Sequence, residues 1–503
     1  MASTSSSIVA RRIKILVSSF RPSSCSLSTL PTPLEENPSG HEESRFLTHN
    51  SPDAKVFDHS AILRFPEVQI STLPNGIRVA TQRSVSNNHT ASVGVWIDTG
   101  SRFEAPGTNG TAHFLEHMVF KGTRRRSSAA IEQEIENMGG HLNAYTSREQ
   151  TTFYANVLRD DVPVAIDILA DMLQNSKFGE HAIKRERGVI LREMEEVQRQ
   201  TQEVLFDHLH WAAFRNNPLG NTILGPPENI RTISGDDLCQ YISTHYTGPR
   251  MVVSAAGAVK HDRIVDQVSR FFKRIPYDPT TAPQLIDKNP AIFTGSEVRV
   301  VNNDMPVAHV VIAFKGAAWA DPSSIPLMML QCLLGSWDKN VGVSNYSGSG
   351  SEFIRRISKN ELAESVMAFN TNYHDTGLFG IYSTAKPECL HDLSIAIMQE
   401  FCRLAYKVSE AEVVRAQNQL KSSLLLHIDG TSAIAENNGR QILTYGRVIP
   451  YSELFARIDG VDASTIKEMA EEFIINKDAA IAAIGPIHQL PDYNWFCSQT
   501  RIK

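Results

Sequence analysis

The sequence predicts an α+β protein built twice: two homologous domains, each a mostly antiparallel sheet packed with helices. Three observations point there. Segments repeat along the chain. GGHLNAYTSREQTTFYANV (139–157) parallels VMAFNTNYHDTGLFGIYSTA (366–385), MVVSAAGAV (251–259) parallels AAIAAIGPI (479–487), and FGEHAIKRERGVI (178–190) parallels VSEAEVVRAQNQL (408–420). Each half alternates strand-like runs with amphipathic helical runs, the pattern of a sheet laid against helices. Roughly 440 of the 503 residues follow a Pro/Ser/Glu-rich start, enough for two domains of about 200. The run IPYDPTTAPQLIDKNPA reads as a proline-rich linker between them. The expected divisions are therefore 1–60, 61–274, 275–291 and 292–503.

The first of these is a targeting segment. Residues 1–34 contain Arg11, Arg12, Lys14 and Arg21, many serines and no acidic residue. That is the composition of a mitochondrial presequence, so the mitochondrial matrix is the expected location. The apolar run IKILV is too short for a secretory signal. No run of 18 apolar residues occurs, so no membrane span is expected. The formal charge is −6, and without the four basic residues of that segment 45 bases face 55 acids. An acidic mature protein suits basic peptides and argues against nucleic acid. Six cysteines, at 25, 239, 332, 389, 402 and 497, form no C-x-x-C pair. Scattered thiols in a long chain fit a reducing compartment.

The first domain carries the chemistry. His113-Phe114-Leu115-Glu116-His117 places two imidazoles four residues apart, on one face of a helix. One helix can offer two nitrogens to a single Zn²⁺ in this way. The order H-x-x-E-H marks the inverted zinc peptidases. At 100° per residue, His113, Glu116, His117 and Phe120 share roughly a 100° arc, while Phe114, Leu115, Met118 and Val119 fill the other side. Gly107, Gly110 and Gly122 punctuate the segment, as suits a short buried helix. A catalytic zinc needs a third protein ligand and an open position. A charged helix is expected from His181 to Phe214, with Glu186, Glu193 and Asp207 on one stripe. Periodicity nominates Glu186 and Glu193 equally. Glu203 and Asp207, four apart, form a fork suited to a guanidinium.

These residues resemble the pitrilysin-like zinc peptidases, and in particular their processing-peptidase branch. HFLEHMVFKGT, ENMGGHLNAYTSRE, RERGVILREMEE and EVLFDHLH carry the likeness, which extends over nearly all of the chain after about residue 60. The resemblance implies one zinc held by His113, His117 and Glu193, with Glu186 supporting it from nearby. Zinc would lower the pKa of a bound water toward about 7 and polarise the scissile carbonyl. Glu116 would then act as general base and return the proton to the leaving amine. The resemblance also implies that Glu203 and Asp207 receive an arginine upstream of the cut. Phe120 would pack the side chain just after it, and Asn143 would touch substrate backbone from an edge strand.

The second domain cannot build such a site. Opposite the zinc helix it reads SSIPLMMLQCLL, and Ser423 stands opposite Glu193. The resemblance implies a heterodimer with an α subunit whose metal motif has decayed, and presequence peptides of imported precursors as substrates. It also offers an alternative role as a core structural subunit of the cytochrome bc1 complex, at the matrix face of the inner membrane. Intact metal positions favour activity. The Gly/Ser-rich run GVSNYSGSGS (342–351) is expected to be a mobile surface loop.

Overall fold

The computed structural model describes residues 66–84, 89–340 and 351–501. The presequence-like segment, and all of the Gly/Ser-rich run but its last residue, lie outside the described residues. The first half contains β1 (Gln69–Thr72), β2 (Arg78–Arg83), β3 (Thr90–Ile97), α1 (Thr111–Met118), β4 (His141–Thr146) and β5 (Thr151–Leu158). It continues with α2 (Val162–Asn175), α3 (Glu180–Val197), α4 (Thr201–Ala213), α5 (Gly235–His245) and β6 (Met251–Gly257). The second half contains β7 (Glu297–Val301), β8 (Ala308–Gly316), α6 (Ser324–Leu334), β9 (Ser336–Asp338), β10 (Ser365–Asn372) and β11 (Gly377–Ala385). It ends with α7 (Leu390–Tyr406), α8 (Glu410–Leu426), α9 (Thr431–Tyr445) and β12 (Ala480–Gly485), among shorter helices.

The two sheets run β1-β2-β6-β3-β5-β4 and β7-β12-β8-β11-β10-β9. Five strands superpose in order: β2, β6, β3, β5, β4 on β7, β12, β8, β11, β10. Each sheet has one parallel pair, β2 with β6 and β7 with β12, and is otherwise antiparallel. The α+β architecture and the internal duplication are thus both present. The segment 275–291 carries one short helix, Ala282–Ile286, opened by a capping box from Thr281.

The central strands are buried on both faces, and their sequences show why. In β6, Met251, Val253 and Ala255 point into the first domain's core, while Val252 and Ala256 point the other way. That second face is covered by α9, a helix of the second half, through Ala435, Ile442 and Leu443. In β12, Ile481 and Ala483 face the second core, while Ala480 and Ala482 meet Leu205, Leu209 and Ala213 of α4. The alanines of MVVSAAG and AIAAIG leave room for a crossing helix. Gly439 of α9 does the same, since a Cβ there would come within 2.3 Å of the Trp96 ring. So the halves exchange equivalent helices, each lying on the other's sheet.

This exchange corrects the single long helix expected from His181 to Phe214. The chain leaves helical geometry at Gln200 (φ −93°, ψ 86°), between α3 and α4. Ile183, Ile190 and Met194 of α3 belong to the first core, whereas Leu205 and Leu209 of α4 pack on the second sheet. One straight helix cannot bury both stripes. Glu203 and Asp207 therefore stand on a different helix from Glu193, and the stripe Glu186–Glu193–Asp207 is not continuous.

Polar contacts clasp the two halves. The β10–β11 turn reaches the first domain. There the Arg102 guanidinium donates to Asp375 through two bonds of 2.7 Å and to Glu149 at 2.6 Å. His374 Nε2 lies 2.9 Å from Asp98 Oδ1, and its backbone N–H donates to Glu149. Burial disfavours a charged His374, but Asp98 and Glu149 outweigh it and raise its pKa to about 9. Because the folded pKa exceeds the ordinary 6.5, the stabilisation is full below pH 6.5 and is lost as pH rises through about 9. We therefore expect the urea midpoint of the native chain to fall from pH 6.5 to 9 relative to that of His374→Gln. Parallel pH profiles would show that the clasp carries no such charge.

Candidate metal centre

The helix that bears the motif is held at its start by a buried carboxylate. Gly110 caps α1 with φ 104°, a conformation that favours glycine. Glu104 accepts from the Gly110 N–H (2.8 Å), the Ala112 N–H (2.6 Å) and the Asn109 amide (2.7 Å). An acidic group at a helix N-terminus meets the free N–H groups and the positive end of the dipole. Burial is the larger influence on Glu104 and lifts its carboxyl to about 7 against those donors. Phe114, Leu115 and Met118 lock the opposite face into the core, as the arc predicted. Phe120 lies just beyond α1, in a 3₁₀ turn of Val119–Lys121, and packs partly against the first core.

From this anchored helix two imidazoles meet a carboxylate of α3. His113 Nε2 and His117 Nε2 lie 3.3 Å apart. Glu193 Oε1 is 3.6 Å from the former and Oε2 is 3.1 Å from the latter. Among the described residues, this trio is the one group of three or more His, Cys, Asp or Glu residues whose donor atoms converge, all within 4.8 Å of one another. The donor set fits a metal. Ligands about 2.0–2.1 Å from a tetrahedral zinc stand about 3.3 Å from one another. His113 is 2% exposed and Glu193 8%, so the donors are withdrawn from bulk water.

Glu186 takes the place beside the donors. Its Oε1 is 2.8 Å from His117 Nδ1, and its Oε2 is 2.9 Å from Lys121 Nζ. That contact leaves His117 Nε2 as the nitrogen facing His113 and Glu193, and so separates the roles of the two acids that periodicity could not rank. Burial would raise Glu186, but His117 and Lys121 hold it below the usual carboxylate range. Burial would likewise lower His117, but Glu186 and Glu193 together raise it to about 9. Both shifts favour a proton shared between His117 and its two carboxylates. Glu116 is fully buried on the same helix, one residue before His117.

The residues expected to contact substrate lie on separate elements. Asn143 lies on β4, the edge strand of the first sheet, half-buried and paired with Tyr154 on one side only. In the second sheet β9 and the Gly335 carbonyl cover the matching edge as far as Ala368. Glu203 and Asp207 sit on α4, both half-buried. Burial, with Asp207 adding to it, lifts Glu203 to about 7. Asp207 already accepts from Arg148 at 2.7 Å. Sequence reasoning missed Glu104, Lys121 and Arg148. An acid six residues before a helix-opening glycine was the available signal for Glu104. For the other two nothing local marks a partner 59 to 65 residues away.

No helix among the described residues is long and apolar enough to cross a membrane, and the five described cysteines are free thiols. Residues 78–227 match the family model of insulinase, peptidase family M16, and residues 232–420 match the peptidase M16 inactive domain. The chain is 60% identical to the "Probable mitochondrial-processing peptidase subunit beta, mitochondrial" of Arabidopsis thaliana, over 92% of this chain and 86% of that protein. It is 48% identical to the mitochondrial-processing peptidase subunit beta of Bos taurus, over 88% of this chain and 89% of that protein. Among solved structures, a chain of "Complex III2 from Candida albicans, Inz-5 bound" shares the fold, with a TM-score of 0.76 and 22% identity over 87% of this chain and 100% of that one. Two family models in tandem and relatives matched nearly end to end leave one assignment: the chain belongs to peptidase family M16, a metallopeptidase family.

Proposed function

We propose that this chain is the metal-bearing subunit of a mitochondrial processing peptidase, removing N-terminal presequences from imported proteins in the matrix. The carrying observation is the convergence of His113, His117 and Glu193, with a buried Glu116 on the same helix, in a chain so similar to processing-peptidase β subunits. The metal would be zinc, one per chain, since two imidazoles and one carboxylate with an open position suit a catalytic zinc. Zinc, when bound, supplies Lewis acidity toward a water and the scissile carbonyl.

The chain's own residues do the rest. Glu104 fixes α1 so that His113, Glu116 and His117 keep one orientation. Glu186 sets the His117 tautomer. Glu116 accepts the proton of the attacking water and passes it to the departing amine. The open edge of β4, with Asn143, would take an extended peptide by strand addition. Phe120 would pack the residue after the cut, and Glu203 with Asp207 would hold an arginine before it. A partner α subunit would complete the enclosure of the presequence. The same assembly is compatible with a place in the cytochrome bc1 complex.

The direct test is cleavage of a presequence peptide by the chain assembled with its partner, with and without chelator. Cleavage that survives full metal removal would overturn the proposal. Glu116→Gln should keep its zinc and lose activity by about 100-fold or more; a zinc-loaded variant of normal activity would exclude the general-base role. Glu186→Gln should weaken zinc binding by about 10–100-fold, read by competition with a chelating dye. The Glu203 carboxyl, at about 7, should give a KM for arginine-bearing peptides that rises as pH falls through that value. Glu203→Gln should flatten that profile.

A further inference from the structure

We propose that Arg148 sets the specificity of the acidic pocket: it neutralises and fixes Asp207, so that Glu203 is the carboxylate left to answer an incoming guanidinium. This rests on the reading of Glu203 and Asp207 as the arginine subsite and deepens it. Arg148 comes from the β4–β5 turn, so the strand expected to bind substrate backbone also delivers this cation to the pocket.

Arg148 is held on both sides of its fork. Its Nη2 donates to Asp207 Oδ1 at 2.7 Å, and its Nε donates to the Leu219 carbonyl at 3.1 Å. It is 8% exposed, so it is a buried partner of Asp207 and not a surface charge. The next residue, Glu149, is tied to Arg102, which keeps the turn from swinging away. Nearby His210 is not a competing cation. Its Nδ1–H donates to the Phe206 carbonyl at 2.7 Å, so Nε2 accepts from the Tyr373 hydroxyl at 2.6 Å. Burial, and next Arg148 itself, keep that imidazole neutral.

The charge count then decides what the pocket accepts. Glu203 and Asp207 lie four apart on α4, where like charges repel. With Arg148 present and Glu203 ionised, the three groups carry one net negative charge, matched to a single guanidinium. Asp207 keeps about a third of its side chain exposed, so it can share the ligand while its other oxygen stays bonded. Without Arg148 the two half-buried acids would oppose each other's ionisation, and Asp207 would lose its fixed orientation. The ordinary value of Glu203 is already displaced upward by burial and by Asp207.

The test compares peptides with arginine, citrulline or lysine at the position before the cut, using the zinc-loaded chain assembled with its partner. Arg148→Gln should raise KM for the arginine peptide about tenfold, with little change for the citrulline peptide, so that discrimination collapses while kcat moves by less than about twofold. Arg148→Lys, which restores the charge but not the fork, should recover part of it. Asp207→Asn added to Arg148→Gln should do little more, because the arginine acts through that carboxylate. If Arg148→Gln binds zinc normally and discriminates as the native protein does, or if KM rises equally for arginine and citrulline peptides, Arg148 is merely structural and the proposal fails. If the native protein itself does not separate arginine from citrulline, the subsite reading fails first and takes this inference with it.

Discussion

Two equivalent helices are exchanged between the halves, and the rest of the molecule depends on that exchange. α4 leaves the first half to cover the alanine face of β12, and α9 returns to cover the matching face of β6. Burying apolar area at both places joins the halves through two cores that neither could close alone. The contact has polar fastenings. Arg78 donates to the Ile442 carbonyl at 2.8 Å, Asn438 donates to Gln82 at 2.9 Å, and Trp96 donates to Glu436 at 3.0 Å. On the other side, the Ala212 and Ala213 carbonyls accept from Ser296 and Thr294. A hinge between the halves would have to break apolar packing and these bonds together.

The metal centre uses the same logic at smaller scale. A short helix has too few internal hydrogen bonds to be rigid alone. α1 is made rigid from outside, by Glu104 at its first turn, the core beneath Phe114, Leu115 and Met118, and α5 packed alongside. α3 is held by Ile183, Ile190 and Met194 in that same core. The three donor groups thus arrive on two elements whose relative position is set by apolar packing. That is the condition for ligands to be placed before the metal arrives. Glu186 and Glu193 outweigh burial and favour the protonated form of His117.

Much of this was legible in the sequence because it is local. The H-x-x-E-H spacing, the glycine punctuation and the greasy face of Phe114, Leu115 and Met118 need only helical periodicity. The duplication needed only self-comparison. The choice between Glu186 and Glu193 was not local, because both lie on one stripe of α3. In the fold the His117 Nδ1 turns to Glu186, while its Nε2 faces Glu193. The break before α4 was hidden for a related reason. Gln198, Arg199 and Gln200 are competent helix residues, and only the demand of two different cores separates the helices. Arg148 and Glu104 are single charged residues whose meaning lies in partners far along the chain or buried from view.

The exchange also explains what the metal-free half contributes. A duplicated domain that lost its ligands could be expected to drift or be lost. Here it supplies the sheet on which α4 rests, and α4 carries Glu203 and Asp207. Phe206, on the same helix, meets Phe369 edge-to-face and Tyr382 at a tilt, both of the second sheet, at centroid distances of 5.1 and 6.0 Å. Tyr373, in the turn of the second half, bonds His210 and lies among the charges around Arg148. The acidic pair is therefore a joint product: its carboxylates belong to the first half in sequence, but the helix that carries them packs on the second. The helix that bears Glu203 and Asp207 thus rests on the half that lacks the convergent His113, His117 and Glu193.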